Sequence, residues 1–209
     1  DEIQQILTNN GIEVITSCDV KLIEGITGRL AVHVATGGKT KTIKGTHLLL
    51  AAGRTPNTDK LNLPAAGIKL NDRGYIVANN KLQTNKKHVY ALGEVNGGPK
   101  FTQIAFDDYR IVAENVLNNG KASTKGRLVP YCIFIDPQLG RVGITEKEAQ
   151  EQGIDYKIAK LPMRLVARAI ETSNTEGFYK AIVDAKTHKI LGAAILGPQG
   201  GEIVTILQF

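Results

Sequence analysis

With 209 residues, 42% hydrophobic and 22% charged, the chain has a globular composition and enough length for one domain or two small ones. No apolar run is long enough to span a bilayer as a helix and no charged-then-apolar leader opens the chain, so the expectations are no membrane partner and a cytoplasmic setting. The net charge of +6 is carried by scattered Lys and Arg, which reads as a solvated basic surface and not as a nucleic-acid site.

Ile3, Ile6 and Leu7 have the spacing of an amphipathic helix that stops at Asn10-Gly11. Ile12 to Ile15 is expected as a short strand. Val20 to Ile23, Leu30 to Val34 and Thr40 to Ile43 are expected as three antiparallel strands, turning at Ile26-Thr-Gly28 and Gly37-Gly38. His33 alternates with Val32 and Val34 and reads as solvent-facing. The run His47 to Ala52 has the composition of a strand buried on both faces of a parallel sheet. It ends in Gly53-Arg-Thr-Pro-Asn57, where Gly53 permits close approach of a ligand to the backbone and Arg54 is a candidate partner for a phosphate or carboxylate.

Leu61 to Leu70 is a connecting segment, Asn71-Asp-Arg-Gly74 a polar turn, and Ile76 and Val77 an edge strand. Val89 to Leu92 follows as a short buried strand ended by Gly93, which places the acid Glu94 at a strand's carboxyl end. In open α/β sheets that end faces the ligand crevice, where a carboxylate can accept hydrogen bonds from sugar or sugar-alcohol hydroxyls. A helix is expected from about Gln103 to Leu117, with Thr102 as its N-cap and a stripe of Ala105, Ile111, Val112, Val116 and Leu117. Its first N–H groups would meet an electron-rich ligand atom. Asp107, Asp108 and Arg110 read as its solvated face.

Lys121 to Arg127 is small, polar and marks a boundary. Beyond it, Pro130 to Pro137, Gly140 to Ile144 and Tyr156 to Leu161 are strand-like, and Thr145-Glu-Lys-Glu148 has the form of a capping box opening a short helix. Phe178 to Val183 and Ile190 to Leu196 suggest a hairpin, with another helix from about Ile203. This part is expected to be helix on antiparallel sheet, an α+β arrangement. Cys18 and Cys132 are too far apart in sequence for a CxxC pair or a metal cluster, and each reads as a small buried filler.

The run Thr84-Asn-Lys-Lys-His-Val-Tyr-Ala-Leu-Gly-Glu94, followed by Phe101-Thr-Gln-Ile-Ala105, resembles the second flavin fingerprint of the class I pyridine nucleotide-disulfide oxidoreductases, the family of glutathione reductase, dihydrolipoamide dehydrogenase and mercuric reductase. Asn96-Gly-Gly-Pro99 and Phe101 to Ile111 look closest to the mercuric-reductase-like branch. The resemblance implies a partial two-dinucleotide-binding-domain flavoprotein fold, α/β, with an α+β interface domain. The expected divisions are the end of an NAD(P)-binding domain over 1–54, the second part of an FAD-binding domain over 55–120, and a dimerisation domain over 121–209. It implies FAD and NAD(P)H as cofactors. Glu94 then holds the ribityl chain, Lys100, Phe101, Thr102 and Gln103 lie near the flavin ring, and Gly53 and Val20 lie beside the nicotinamide cofactor. One departure is Glu94, where the family pattern has Asp; the extra methylene carries the carboxylate outward.

The family's cysteine pair, its glycine-rich nucleotide turns and its C-terminal His-Pro segment have no counterpart in these 209 residues, which correspond to the later part of a family member. The expectation is an oxidoreductase that passes electrons from NAD(P)H through FAD to a cysteine pair outside the chain, and on to a disulfide, metal ion or oxidant, as a homodimer. The 209 residues alone are expected to be inactive, with no catalytic residue and no metal ligand among them. The alternative is a non-catalytic association module on a degenerate nucleotide-binding fold.

Overall fold

The structure is a computed structural model that describes residues 1–208. The chain divides into two compact units, Asp1–Gly53 and Arg54–Phe209. No described helix is long and apolar enough to cross a membrane.

In the first unit, α1 (Glu2–Asn9) buries Ile6, and β1 (Cys18–Ile26), β2 (Arg29–Thr36) and β3 (Lys39–Gly45) form an antiparallel meander in sequence order. The expected hairpin glycines turn it: Gly28, Gly37 and Gly38 all have positive φ, as tight two-residue turns require. A bulge between Val20 and Leu22 interrupts the β1–β2 register. His33 is not simply solvated; its ring lies 3.0 Å from Glu24 and 2.9 Å from Thr42, joining neighbouring strands.

Two expected strands do not form. Ile12 to Ile15 and His47 to Ala52 are irregular, and Leu49 is 88% exposed. An apolar run becomes a strand only when a neighbour accepts its backbone hydrogen bonds, and no described segment pairs with either.

The second unit begins with an irregular layer over residues 54–101. Leu63, Ile76 and Ala91 form its buried centre, with Ile68, Ala78 and Val95 packed around them. The expected strands at Ile76 and at Val89 to Leu92 shrink to single bridges, Leu70 with Ile76 and Gln83 with Tyr90. Turns do the rest of the work: the Asn71 side chain accepts from the N–H groups of Arg73 and Tyr75. α2 (Thr102–Leu117) follows, with Phe101 rather than Thr102 at its N-cap and no side-chain cap bond. Its buried face is Ile104, Asp108 and Ile111, whereas Val116 and Leu117, expected on the apolar stripe, are exposed.

The last part is a five-stranded antiparallel sheet in the order β4-β5-β8-β7-β6, from β4 (Tyr131–Ile133), β5 (Leu139–Gly143), β6 (Tyr156–Pro162), β7 (Phe178–Asp184) and β8 (Ile190–Leu196). α3 (Glu146–Glu151) opens on the expected capping box, Thr145 and Glu148 bonding each other's backbone N–H. α4 (Ala167–Glu171) and a 3₁₀ turn at Met163–Leu165 escaped the sequence reading. α5 (Gly200–Ile206) lies on one face of the sheet, and Val204 completes a core of Val142, Ala193 and Ile195. Gly140 makes this possible, because a Cβ there would stand 2.1 Å from the Gly200 carbonyl oxygen. Beside α5 the same face is an apolar groove of about 430 Å³ over Ala159, Leu161, Tyr179 and Ala181.

Candidate functional site

Everything around Glu94 serves to fix one short turn. Gly93 to Asn96 form a 3₁₀ turn that Gly97 closes in the left-handed region, its N–H bonded to the Glu94 carbonyl at 3.1 Å. Gly93 also has positive φ (69°), and its missing Cβ leaves room for Ala105 of α2. The Gly93 N–H donates to Asp108 Oδ2 at 2.8 Å, and the Asn96 side-chain amide donates to Ala91 O at 3.1 Å and to Asp108 Oδ2 at 3.3 Å. Val95 O accepts from the Ile76 N–H at 2.9 Å, tying the turn to the buried centre of the layer.

So held, the Glu94 carboxylate is half-exposed, and its Oε1 meets Arg54 Nη1 at 2.8 Å. Arg54, Pro56, Tyr75, Glu94, Val95 and Lys100 line a cleft of about 180 Å³. Lys100 Nζ stands 5.5 Å from the centre of the Tyr75 ring and 3.4 Å from the Arg54 carbonyl, putting a second cation on the cleft lining. Phe101 stacks on Tyr131 at 5.7 Å and Gln103 Nε2 donates to Pro130 O at 3.3 Å, so the start of α2 is fastened to the chain entering β4. Thr102 and Gln103 are exposed, and as the first residues of a 16-residue helix with no side-chain cap they leave N–H groups free to donate.

Of the residues singled out from sequence, Glu94 and Lys100 therefore share a cleft, and Phe101, Thr102 and Gln103 follow directly at the helix start. Val20, on β1, and Gly53, with φ of 114°, belong to the first unit. Cys18 and Cys132 are both partly exposed free thiols. Burial and the nearby Glu202 carboxylate push the Cys132 thiol up, against a smaller opposing effect of the Gly201 backbone. Among the described residues no group of three or more His, Cys, Asp and Glu gathers to hold a metal ion.

Sequence reasoning missed the support of the turn. Asp108, read as solvated, is 1% exposed, and Arg127 Nη1 lies 2.6 Å from its Oδ1 and 3.1 Å from Asp107 Oδ2. Burial pulls the Arg127 guanidinium down, but its hydrogen bonds to Asp108 and Asp107 outweigh burial and raise it. A signal existed: Ile104, Asp108 and Ile111 are spaced i, i+4, i+7, so the acid stands on the buried stripe.

The residues present fit part of a flavin dinucleotide. A carboxylate with one oxygen still free to accept from hydroxyls lies just before a helix start with backbone donors to offer, the polar set that a ribityl chain and a flavin ring edge require.

The structure superposes on the solved HOCl-induced flavoprotein disulfide reductase RclA from Escherichia coli with a TM-score of 0.88 and 39% identity, over 100% of this chain and 47% of that one. LpdA from Mycobacterium tuberculosis, 22% identical with a TM-score of 0.86 over 98% of this chain and 44% of that one, shares the fold. The fold is thus that of the flavoprotein disulfide reductases it superposes on, nucleotide-binding parts followed by an α+β dimerisation domain.

The chain belongs to the pyridine nucleotide-disulphide oxidoreductase family: the model of that family matches residues 1–108 and the model of its dimerisation domain matches residues 129–209. Curated relatives include the probable pyridine nucleotide-disulfide oxidoreductase RclA of Escherichia coli, 39% identical over 100% of this chain and 46% of the relative. Mercuric reductase of Staphylococcus aureus is 35% identical over 98% of this chain and 37% of the relative. Dihydrolipoyl dehydrogenase of Geobacillus stearothermophilus is 32% identical over 98% and 43%. The chain spans less than half the length of these relatives.

Proposed function

We propose that these residues belong to an FAD-dependent NAD(P)H oxidoreductase that works as a homodimer and delivers electrons, through a cysteine pair outside the 209 residues, to a disulfide, metal ion or oxidant. The observation that carries this reading is the Glu94 carboxylate held just ahead of the uncapped start of α2. FAD, when bound, supplies two-electron acceptance from a nicotinamide and onward transfer to a dithiol. Glu94 accepts hydrogen bonds from the ribityl hydroxyls and fixes the register of the chain. The N–H groups of Thr102 and Gln103 donate to the electron-rich edge of the ring, Lys100 adds positive charge beside it, and Phe101 anchors the helix start. Gly53 and Val20 are assigned to the nicotinamide side.

The accompanying domain assignment is NAD(P)-binding over 1–54, FAD-binding over 55–120 and dimerisation over 121–209. Residues 129–209 matching a dimerisation-domain model support the homodimer. The 209 residues alone are proposed to be without turnover, since Cys18 and Cys132 are separate and the few half-site hydrogen bonds, about 1 kcal/mol each net, do not offset an association cost of several kcal/mol.

The apolar groove beside α5 favours one other reading, a purely associative module. An absorbance spectrum of the purified complete protein separates the two. A flavin spectrum, with flavin content markedly lowered by Glu94→Ala, is the expected result; a colourless protein, or unchanged occupancy in the variant, refutes the oxidoreductase reading or the role of Glu94 respectively.

A further inference from the structure

A carboxylate on the buried stripe of a helix is costly unless its oxygens are fully engaged, and an apolar side chain would fill the same place without that cost. Asp108 meets the requirement in a particular way. Its Oδ2 accepts from the Gly93 N–H at 2.8 Å and the Asn96 side chain at 3.3 Å, the first and last residues of the turn that carries Glu94. Its Oδ1 accepts from Arg127 at 2.6 Å, and Arg127 also reaches Asp107 at 3.1 Å. Arg127 lies between the end of α2 and the matched dimerisation domain, whose first residue is 129. The same segment is fastened to the irregular layer over residues 54–101 as well, the Thr124 N–H bonding Asn80 O at 2.8 Å. One enclosed carboxylate therefore joins the Glu94 turn, helix α2 and the segment leading to the dimerisation domain.

We infer that the Asp108–Arg127 pair is a positioning clamp for Glu94, through which the segment entering the dimerisation domain governs how firmly the flavin is held. The inference rests on the reading of Glu94 as a flavin contact. Asp108 and Arg127 touch no reacting atom; they act through the turn. Removing the guanidinium leaves Asp108 enclosed with one oxygen unmatched, and the carboxylate can regain a partner only by shifting, which loosens its hold on Gly93 and Asn96. A general packing role predicts something different, namely a loss that does not depend on what side chain stands at position 94.

The test is a thermodynamic cycle on the complete protein: wild type, Arg127→Met, Arg127→Lys, Glu94→Ala and the two Arg127 variants combined with Glu94→Ala. FAD is added to the flavin-free proteins, its dissociation constant is read from flavin fluorescence, and circular dichroism checks the fold. Arg127→Met is expected to raise the constant about tenfold in the wild-type background and less than about twofold in the Glu94→Ala background, because coupled residues are non-additive. Arg127→Lys, which keeps the charge without the guanidinium fork, is expected to recover most of the affinity, leaving about a threefold loss. If Arg127→Met does not fold, the Arg127→Lys arm closes the same cycle with that smaller effect. An undiminished Arg127 effect on top of Glu94→Ala, or no effect of either Arg127 variant while Glu94→Ala weakens FAD, overturns the clamp alone. A wild-type protein that binds no FAD, or Glu94→Ala with unchanged affinity, overturns the reading of Glu94 and the clamp with it.

Discussion

Gly93→Ala probes the turn at its most constrained point. Gly93 has φ of 69°, a conformation that costs an L-residue about 1–2 kcal/mol. The new Cβ would also stand 3.2 Å from the Ala105 Cβ of α2, so the helix or the turn must give by a few tenths of an ångström, adding about 1 kcal/mol for overpacking. The sum is roughly 2–3 kcal/mol, concentrated where the Gly93 N–H reaches Asp108. A flavin-free protein can relieve that strain by letting the turn relax, whereas flavin binding must impose it again. If most of the strain returns on binding, the FAD dissociation constant rises about thirtyfold for 2 kcal/mol, at 1.4 kcal/mol per tenfold. The assay is fluorescence titration of FAD into the flavin-free complete protein, with thermal unfolding measured in parallel. Gly153→Ala is the control: φ is 65° but nothing lies within 4 Å of the added Cβ, so it should cost the backbone strain alone and leave FAD affinity untouched. A Gly93→Ala protein that binds FAD within twofold of wild type would refute the reasoning, as would a Gly153→Ala protein with an equal loss of affinity.

Gly140→Ala should lift α5 from β5, because its Cβ meets the Gly200 carbonyl oxygen at 2.1 Å and Val204 Cγ1 at 2.9 Å; a loss of about 1–3 kcal/mol in denaturant unfolding is expected, and a change below about 0.5 kcal/mol would contradict the packing described. Glu148 is held below its ordinary 4.5, first by the Thr145 backbone N–H, so its stabilisation is fully present above 4.5 and disappears as pH falls through the lower folded-state value. Glu148→Gln should accordingly remove that acid-dependent part of the stability curve, and an unchanged curve argues against it. Cys132, raised by burial and by Glu202, should alkylate more slowly at pH 8 than an unhindered thiol; mass spectrometry showing equal rates would count against the described environment.

Where a hydrogen-bonding partner is near in sequence, the residues alone were sufficient. The β1–β3 meander is specified by alternation and by glycines whose positive φ supports tight turns, and the capping box from Thr145 to Glu148 closes within four residues. The β7–β8 hairpin is equally local. His47 to Ala52 shows the other limit. Its composition states how it would be buried, but a strand is a relation between two segments, and no described segment completes it. The bridge at Tyr90 is a milder case, in which the apolar run is extended and Ala91 is buried while the ladder stops at one pair.

The site divides along the same line. That Glu94 stands beside the start of α2 was legible because a glycine, an acid and a helix start stand close together in the chain, and the flavin role proposed for them comes from the family resemblance. Asp108 was not, because side-chain charge argues for the surface while helical spacing argues for the core, and only the tertiary partners decide between them. Those partners are Gly93, 15 residues before, and Arg127, 19 residues after. Neither separation follows a helical or strand period, so no pattern in the sequence links the three. Arg54 and Glu94, 40 residues apart, show that the same blindness extends to the cleft itself. The Glu94 carboxylate, one methylene further out than the Asp of the family pattern, meets the guanidinium in an ion pair on the wall of the cleft proposed for the ligand hydroxyls. Because Arg54 engages only Oε1, the second oxygen can accept from a hydroxyl without breaking the pair, and a Glu at position 94 remains compatible with the role that the family pattern gives to an Asp.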